Sequence, residues 1–339
     1  FELYKKVTDD LLQKKMKVPS STGLSTVAWY NSGKIQNKGW EFNIDIAAVK
    51  TKDWSFNFGF NISQNKNEIL ELPENKNDEL YTFGNKNYAY SVMMGDPLGS
   101  FYGYRYKGVY QNVEETYAVN TSGQRILDID GNPVVMKNGD QKVYPGDARY
   151  EDVNGDGVID ENDIVYLGNS NPTLTGGLNF TLRYKKVSLV AAFHGRAGQK
   201  VINQARMDME NMRGKNNQSV AVLRRWRSEG DDTDIPRALY DKGYNYLGSD
   251  RFVEDASFLR LKTVTLKYQM PAKWMKAIGV NKLELYATGY DMFVWTKYKG
   301  QDPEVNLKAA NDGTVAQVAI DSNNTPKPFK IAFGLNLNF

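Results

Sequence analysis

A run of oxygen-bearing side chains at residues 152–163, with sequence DVNGDGVIDEND, has the spacing of a calcium-binding loop. Loops of the EF-hand type take ligands from places 1, 3, 5, 7, 9 and 12, with a glycine at place 6 for the sharp turn. In that register Gly157 stands at place 6, and the apolar Ile159 stands at place 8. The predicted ligands are Asp152, Asn154, Asp156, the backbone carbonyl of Val158, Asp160 and Asp163.

Calcium is the ion that this donor set favours, because Mg²⁺ binds fewer protein ligands and keeps more of its water. One position departs from the EF-hand pattern, since place 12 holds Asp163 and its arm is shorter than that of glutamate. The residues on either side lack the pattern of helices, so we expect a structural clamp in a loop and not a switch. The alternative is a turn rich in Asp, Asn and Gly that is held by its own side-chain hydrogen bonds.

Other candidate chemistry is sparse, and we predict that the chain is not an enzyme. His194 is the only histidine and cysteine is absent, so neither a histidine metal cluster nor a thiolate site can form. We interpret His194 as a strand residue in the wall of the fold. The carboxylate pair Asp231–Asp232 lies in a polar stretch where solvated charge is the ordinary interpretation.

Two further clusters could bind ligands but are better explained by packing. Arg224, Arg225 and Arg227 surround Trp226 in a stretch that predicts a short amphipathic helix over residues 220–228. A second cluster could stack on sugar rings, although a loop hairpin is the favoured interpretation; it comprises Tyr102, Tyr104, Tyr106 and Tyr110.

The composition excludes some classes of function. The 339 residues carry a formal charge of only +3, which gives no reason to expect a nucleic-acid partner. Aromatic residues reach 12%, with 21 Tyr and 15 Phe, which suits strands better than helices. The chain opens at Phe1 without a starting methionine, and we interpret it as a processed product or a piece of a longer protein.

Alternation of apolar and polar residues is the main structural signal. In residues 40–48 every second residue is apolar, and residues 54–62 repeat the pattern after a short polar turn. The alternation predicts eight strands, at residues 1–12, 37–50, 54–63, 173–184, 187–195, 257–268, 282–294 and 328–339.

The connections between these strands alternate strictly between short and long. The short turns are 50–53, 185–186 and 269–281, and the long polar loops are 13–36, 64–172, 196–256 and 295–327. Transmembrane barrels of the bacterial outer membrane have this asymmetry, with short turns on one side and long extracellular loops on the other. We therefore predict an all-β, antiparallel transmembrane barrel, with the cation loop in the extracellular loop region 64–172. A soluble β protein with long loops is the alternative.

Several motifs, in one order along the chain, resemble the carboxy-terminal barrel portion of SusC/RagA-type TonB-dependent outer-membrane transporters of the Bacteroidota. These are NSGKIQNKGWEFNIDI (31–46), GDPLGSFYGYRYKGVYQ (95–111), PGDARYEDVNGDGVIDENDIVYLGNSNP (145–172), GGLNFTLRYKKVSL (176–189), DASFLRLKTVTLKYQMP (255–271) and FGLNLNF (333–339).

The resemblance implies a barrel of about 22 strands around a plug, of which residues 1–339 would supply the last eight. It further implies that Phe339 serves as the signal for barrel assembly. The expected activity is active import of an oligosaccharide, or less favourably an oligopeptide, across the outer membrane. The implied partners are a SusD-like surface lipoprotein, TonB through a region outside this chain, and outer-membrane lipid.

Two other functions compete with import. One is a secreted or surface domain that binds glycans and uses calcium as a staple. The other is a calcium-dependent glycan hydrolase, which needs two well-placed carboxylates; the sequence does not single out such a pair.

Overall fold

The computed structural model describes residues 1–17, 26–31, 33–72, 81–82, 88–90, 93–240, 244–277, 279–309, 317–323 and 325–338. Phe339, the predicted assembly signal, lies outside these residues.

Strands dominate the described chain. In chain order they are β1 Glu2–Thr8, β2 Leu12–Lys17, β3 Thr26–Asn31, β4 Lys34–Lys50, β5 Trp54–Glu71, β6 Tyr81–Thr82, β7 Ala89–Tyr90, β8 Ser100–Gly103, β9 Tyr106–Val109, β10 Lys137–Asn138, β11 Gln141–Lys142, β12 Ala148–Tyr150, β13 Val158–Ile159, β14 Val165–Asn169, β15 Leu174–Tyr184, β16 Val187–Ala197, β17 Lys200–Asn203, β18 Val253–Asp255, β19 Phe258–Gln269, β20 Lys282–Thr296, β21 Leu307–Ala309, β22 Gln317–Asp321 and β23 Lys330–Asn338. The α-helices are α1 Gln204–Glu210 and α2 Ala272–Ala277, and short 3-10 helices cover Glu114–Thr116, Glu161–Asp163, Val220–Arg224, Tyr244–Tyr246 and Asp250–Phe252.

The eight long strands form one antiparallel sheet in the order β1-β4-β5-β15-β16-β19-β20-β23. They correspond to the eight predicted strands, and each pairs with the next in chain order. The largest difference in bounds is at β5, which continues to Glu71, so that the following loop begins at residue 72. β1 and β23 lie at the two edges of the sheet.

One face of this sheet is apolar across seven of its eight strands. A single row of paired residues crosses seven strands and consists of Ile46, Phe58, Phe180, Ala191, Val264, Gly289 and Ile331. On β23 this face is open, with Phe333 82% exposed and Leu335 57% exposed. Such side chains need an apolar solvent, which the hydrocarbon of a bilayer supplies.

The opposite face is polar. Asp45 and Asn179 flank Gly59 on the neighbouring strands, and a Cβ at Gly59 would lie 2.5 Å from the Asp45 carboxylate and 2.8 Å from the Asn179 amide. A glycine here lets the two polar side chains approach across the middle strand. The alternation of apolar and polar residues in the sequence thus places apolar side chains on one face of the sheet and polar side chains on the other.

The turns at one end of the sheet are short. Lys185 and Lys186 form a two-residue hairpin between β15 and β16, and Lys185 has a positive φ of 52°. The connection predicted as a turn at 269–281 contains α2. No helix among the described residues is both long and apolar enough to cross a membrane.

The long loops at the other end carry their own hydrophobic cores. One core gathers distant residues of the 72–173 connection and comprises Tyr110, Ala118, Met136, Val143, Ala148, Tyr150 and Ile159. A second core joins this connection to the 198–257 connection through contacts such as those of Phe101, Ile202 and Phe252. The residues of the first core follow no regular period in the sequence.

Candidate cation loop and polar interior

The loop 152–163 is held by strands and not by flanking helices, as predicted. β12 ends at Tyr150 just before it, and β13 (Val158–Ile159) lies within it and pairs in parallel with β10. Gly155 and Gly157 take positive φ angles of 71° and 85°, which lets the chain turn sharply between the two strands.

Asp152 organises the first half of the loop. Its carboxylate accepts hydrogen bonds from the backbone N–H of Gly155 at 2.7 Å and of Gly157 at 2.8 Å. Asp156 accepts one from the N–H of Val158 at 2.8 Å, and the amide of Asn154 donates to Asp156 at 2.8 Å. These bonds are the side-chain-to-backbone turns of the alternative interpretation.

Asp160 and Asp163 close the second half as a capping box around the 3-10 helix. The N–H of Asn162 donates to Asp160 at 2.8 Å, and the N–H of Asp160 donates back to Asp163 at 2.9 Å. Asp163 also accepts from the N–H of Val153 at 2.7 Å. Asp163 is fully buried, and burial raises the pKa of its carboxyl above the ordinary value.

The predicted ligands are therefore in one loop, with the oxygen chemistry that Ca²⁺ prefers. Their carboxylates do not converge, since among the described residues no three or more His, Cys, Asp or Glu side chains are placed to hold a metal ion. Internal hydrogen bonds account for the loop as it stands. The calcium site stays a prediction.

The four tyrosines singled out in the sequence lie within the loop region. Tyr102 and Tyr110 are buried, at 4% and 2% exposure. Burial raises the pKa of Tyr104 and of Tyr110 to about 12. Tyr106 donates a hydrogen bond to the carbonyl of Asp234. Packing, and not sugar stacking, is the role that these contacts give them.

The arginine-rich stretch also packs within the loops. Val220–Arg224 is a 3-10 helix and not the amphipathic α-helix predicted over 220–228. Trp226 covers Gly146, whose φ of 84° suits glycine and whose missing Cβ leaves room for the indole. Arg227 donates to the carbonyl of Leu223 at 3.0 Å, so part of its guanidinium is already hydrogen-bonded within the loop.

His194 lies in β16 opposite Arg260 of β19, in the wall of the sheet as predicted. Its ring meets that of Phe258 edge-on, with centroids 5.8 Å apart. Neither neighbour supplies a nucleophile or a metal ligand.

A buried ion pair joins two long loops and was not found from the sequence. The Arg237 guanidinium donates to the Asp147 carboxylate at 2.7 Å and 3.1 Å, and Asn245 donates to the same carboxylate at 3.2 Å. Asp147 is fully buried. The partners are 90 residues apart in sequence, so local spacing contains no signal for the pair.

A second buried network lies at α1. Arg206 pairs with Glu210 at 2.9 Å and with Glu254 at 3.0 Å, while Arg251 pairs with Glu210 at 3.0 Å. The side chains of Arg251 and Glu210 are each 5% exposed. Their mutual charges hold α1 against the 3-10 helix Asp250–Phe252 and β18.

A charged cluster lies where β19 meets the 297–309 connection. Arg260, with its side chain 3% exposed, pairs with Asp302 at 2.6 Å and with Glu304 at 2.9 Å. Glu304 also pairs with Lys327 at 2.7 Å. The cluster attaches the last long loop to the polar face of the sheet.

A cavity of about 330 Å³ opens where the polar face of the sheet meets the 72–173 connection. Its lining is uncharged and rich in amides and hydroxyls, and consists of Asn37, Ser63, Asn65, Asn67, Leu98, Asn171, Pro172, Thr173 and Thr175. The side-chain amides of Asn65 and Asn67 both donate to the side-chain oxygen Oδ1 of Asn37, at 3.1 Å and 3.0 Å, which fixes the amides that face the cavity.

Comparison with known proteins shows which receptors the chain resembles. The chain is 33% identical to TonB-dependent receptor P26 of Formosa agariphila over 342 residues, which is 99% of this chain and 32% of that receptor. It is 29% identical to TonB-dependent receptor P3 of the same organism, and 27% identical to TonB-dependent receptor SusC of Bacteroides thetaiotaomicron, over 99–100% of this chain. No family model matches.

Solved structures agree on the fold. The RagAB peptide importer in its closed-closed state superposes with a TM-score of 0.71 at 24% identity, covering 99% of this chain and 33% of the importer chain. The open-open state gives a TM-score of 0.69 at 22% identity. The chain spans about a third of the length of the relatives that it matches.

Proposed function

The chain matches a barrel portion of the SusC/RagA-type TonB-dependent receptors, and from this premise we propose that it serves in the active import of a nutrient across the outer membrane. Receptors of this type are outer-membrane β-barrel proteins and not enzymes, which supports the same localisation here and the absence of catalysis.

The observation that carries the proposal is the two-faced sheet. Phe333 and Leu335 lie on an exposed apolar face, whereas Asp45 and Asn179 meet on the opposite face. In a wall between lipid and a wet interior, the backbone groups pair within the sheet. The side chains of each strand alternate between the two sides, so every strand needs one apolar and one polar surface. A secreted glycan-binding domain would have no use for the open apolar face.

The substrate that we favour is an oligosaccharide. The cavity between Asn37 and Thr175 offers uncharged donors and acceptors, which match the hydroxyls of sugars. An oligopeptide is the second candidate, and it is supported by the fold shared with a structure described as a peptide importer.

We infer two partners for the whole receptor. A SusD-like lipoprotein would cover the long-loop end, where the loops form packed units with buried ion pairs. TonB would supply energy from the other side of the membrane through a region outside these strands. In the loop region, the proposed role of Ca²⁺ at residues 152–163 is structural.

Gene deletion with nutrient-limited growth tests the proposal. A strain without the receptor is expected to lose growth on one class of oligosaccharide and to regain it when the gene is restored. Loss of growth on peptides alone would select the second candidate. A deletion strain that takes up all tested nutrients normally, or a receptor that stays soluble and monomeric without detergent, would contradict import.

A further inference from the structure

Three short turns at one end of the sheet are tied together by hydrogen bonds into a rim, which we call the turn ledge and define as residues 50–53, 185–186, 270–277 and 279–281. The N–H of Lys185 donates to the carbonyl of Asp53 at 2.7 Å. The N–H of Gln269 in turn donates to the carbonyl of Lys186 at 2.8 Å. These bonds fix the spacing of neighbouring turns along the rim.

The turn ledge is strongly basic. By sequence it holds six lysines and one acidic residue, Asp53, a formal charge of +5, whereas the whole chain carries +3. The rest of the chain therefore carries a formal charge of −2, so the turn ledge accounts for the net positive charge of the chain. Lysines with exposed side chains are found at positions 50, 52, 185, 186 and 273.

These exposed lysines are not engaged in ion pairs. Among the described residues, none of the five forms an ion pair within 4.0 Å, although many other lysines and arginines do. Lys185 moreover has a φ of 52°, a conformation that Asn or Gly adopts at lower cost in a two-residue hairpin. The geometry of the turn does not itself select a lysine there.

Aromatic side chains border the same rim on the apolar face. Trp54 and Tyr184 are paired across β5 and β15 with ring centroids 4.3 Å apart, and both are about 40% exposed. The Lys185 ammonium lies 5.2 Å from the centre of the Tyr184 ring. Trp274 of α2 is 62% exposed. Indole and phenol rings next to free ammonium groups are suited to the boundary between acyl chains and headgroups.

We propose that the turn ledge binds the phosphate groups of anionic phospholipids in the adjacent membrane leaflet. This inference rests on the proposed membrane location. Ammonium groups attract a phosphodiester that carries net negative charge, and the neighbouring rings and the apolar face below them receive the acyl chains. Because the apolar face runs into the ledge without a break at Trp54 and Tyr184, a lipid is the occupant that satisfies both chemistries together.

Lipid binding to the full-length receptor in nonionic detergent tests the proposal. The probes are phosphatidylglycerol and phosphatidylcholine with the same acyl chains, measured by native mass spectrometry and by the shift in melting temperature. The test variant carries Lys52→Gln, Lys185→Gln and Lys186→Gln. The matched control carries Lys142→Gln, Lys215→Gln and Lys299→Gln, which remove the same charge from exposed positions in the long loops.

The wild-type receptor is expected to prefer phosphatidylglycerol. Each lysine removed from the ledge is expected to lower that affinity about fivefold, the ratio that corresponds to ~1 kcal/mol. A variant with arginine at the three ledge positions should keep the preference, and the control variant should keep it as well. Melting temperatures without added lipid identify any variant that fails to assemble.

Equal binding of the two lipids by the wild type would overturn the proposal, as would equal losses in the ledge and control variants. Capture of an acidic protein by the ledge without any preference for phosphatidylglycerol would also overturn it and would identify a protein partner instead. A receptor that imports its nutrient but shows no lipid preference refutes only this inference, whereas one that does not reside in the membrane refutes the proposed function.

Discussion

The guanidinium of Arg237 holds the fully buried carboxylate of Asp147 through two hydrogen bonds, and so fastens two long loops that are distant in sequence. Removal of the arginine leaves a buried charge with only Asn245 and backbone groups as partners. Substitutions that leave a buried charge uncompensated are among the most destabilising single-residue changes.

The first prediction is that Arg237→Ala lowers the stability of the loop region by about 3 kcal/mol. Hydrogen exchange should rise around residues 144–150, while exchange in the sheet stays unchanged. The control is Arg125→Ala, because its pair with Glu114 is exposed at both side chains and should contribute less than about 1 kcal/mol. Equal effects of the two variants would contradict the assignment.

The second prediction concerns calcium. Titration of the chelator-treated receptor is expected to show Ca²⁺ binding that is lost in Asp156→Asn. The control is Asp128→Asn, because Asp128 also accepts two backbone N–H groups, at 2.9 Å and 2.8 Å, in a turn without further predicted ligands. A wild-type receptor that binds no Ca²⁺ would leave the internal hydrogen bonds as the whole explanation of the loop.

The third prediction is that acid detaches the last long loop. Burial by itself raises the pKa of Glu304, but the hydrogen bond from Lys327 and the charges of Lys327, Lys262 and Arg260 outweigh burial and hold that pKa below its ordinary value of 4.5. A depressed pKa contributes stability that is fully present above pH 4.5 and is lost as the pH falls through the folded value.

Proteolysis of the 297–309 connection as a function of pH measures this effect. Cleavage of the wild type should increase below pH 4.5, whereas Glu304→Gln should cleave readily and with a flatter pH profile. Glu229→Gln, at an exposed glutamate, should behave as the wild type does. An unchanged pH profile in Glu304→Gln would refute the role of the cluster.

The fourth prediction separates the two faces of the sheet. Phe333→Arg is expected to destabilise the membrane-inserted protein by about 2–4 kcal/mol, because it places a charge in the hydrocarbon. Asn336→Arg introduces the same side chain on the opposite face, beside Glu284, which accepts from the Asn336 amide at 3.4 Å. Assembly, followed by electrophoretic mobility before and after heating, should fail only in the first variant.

Alternation in the sequence was sufficient to predict the long strands, because each strand must satisfy lipid on one side and water on the other. The register follows from the same constraint, since a slip of one residue would turn Phe58 and Phe180 to the polar face. The end of β5 was predicted too early at residue 63, where the alternation stops although the pairing continues with Ile35 and Ile69.

The loop region was less predictable, for a physical reason. Tyr110, Met136 and Val143 meet in one core although no common period links them. The helix expected after Ser219 formed only a 3-10 turn. Ala221 and Val222 pack against a core, whereas Val220 is 83% exposed and Leu223 is 64% exposed, so the apolar residues form no continuous packed face. The loop 152–163 was predicted correctly to lack flanking α-helices, since its Asp, Asn and Gly residues specify local bonds.

β1 and β23 each leave one row of peptide groups without a strand neighbour in the part of the chain that the structure describes. Unpaired edge strands of this kind can pair with any extended polypeptide that contacts them. Copies of residues 1–339 produced without the rest of the protein are therefore expected to pair through these edge strands and to precipitate. Soluble, monodisperse material would require additional polypeptide that covers the edges of β1 and β23.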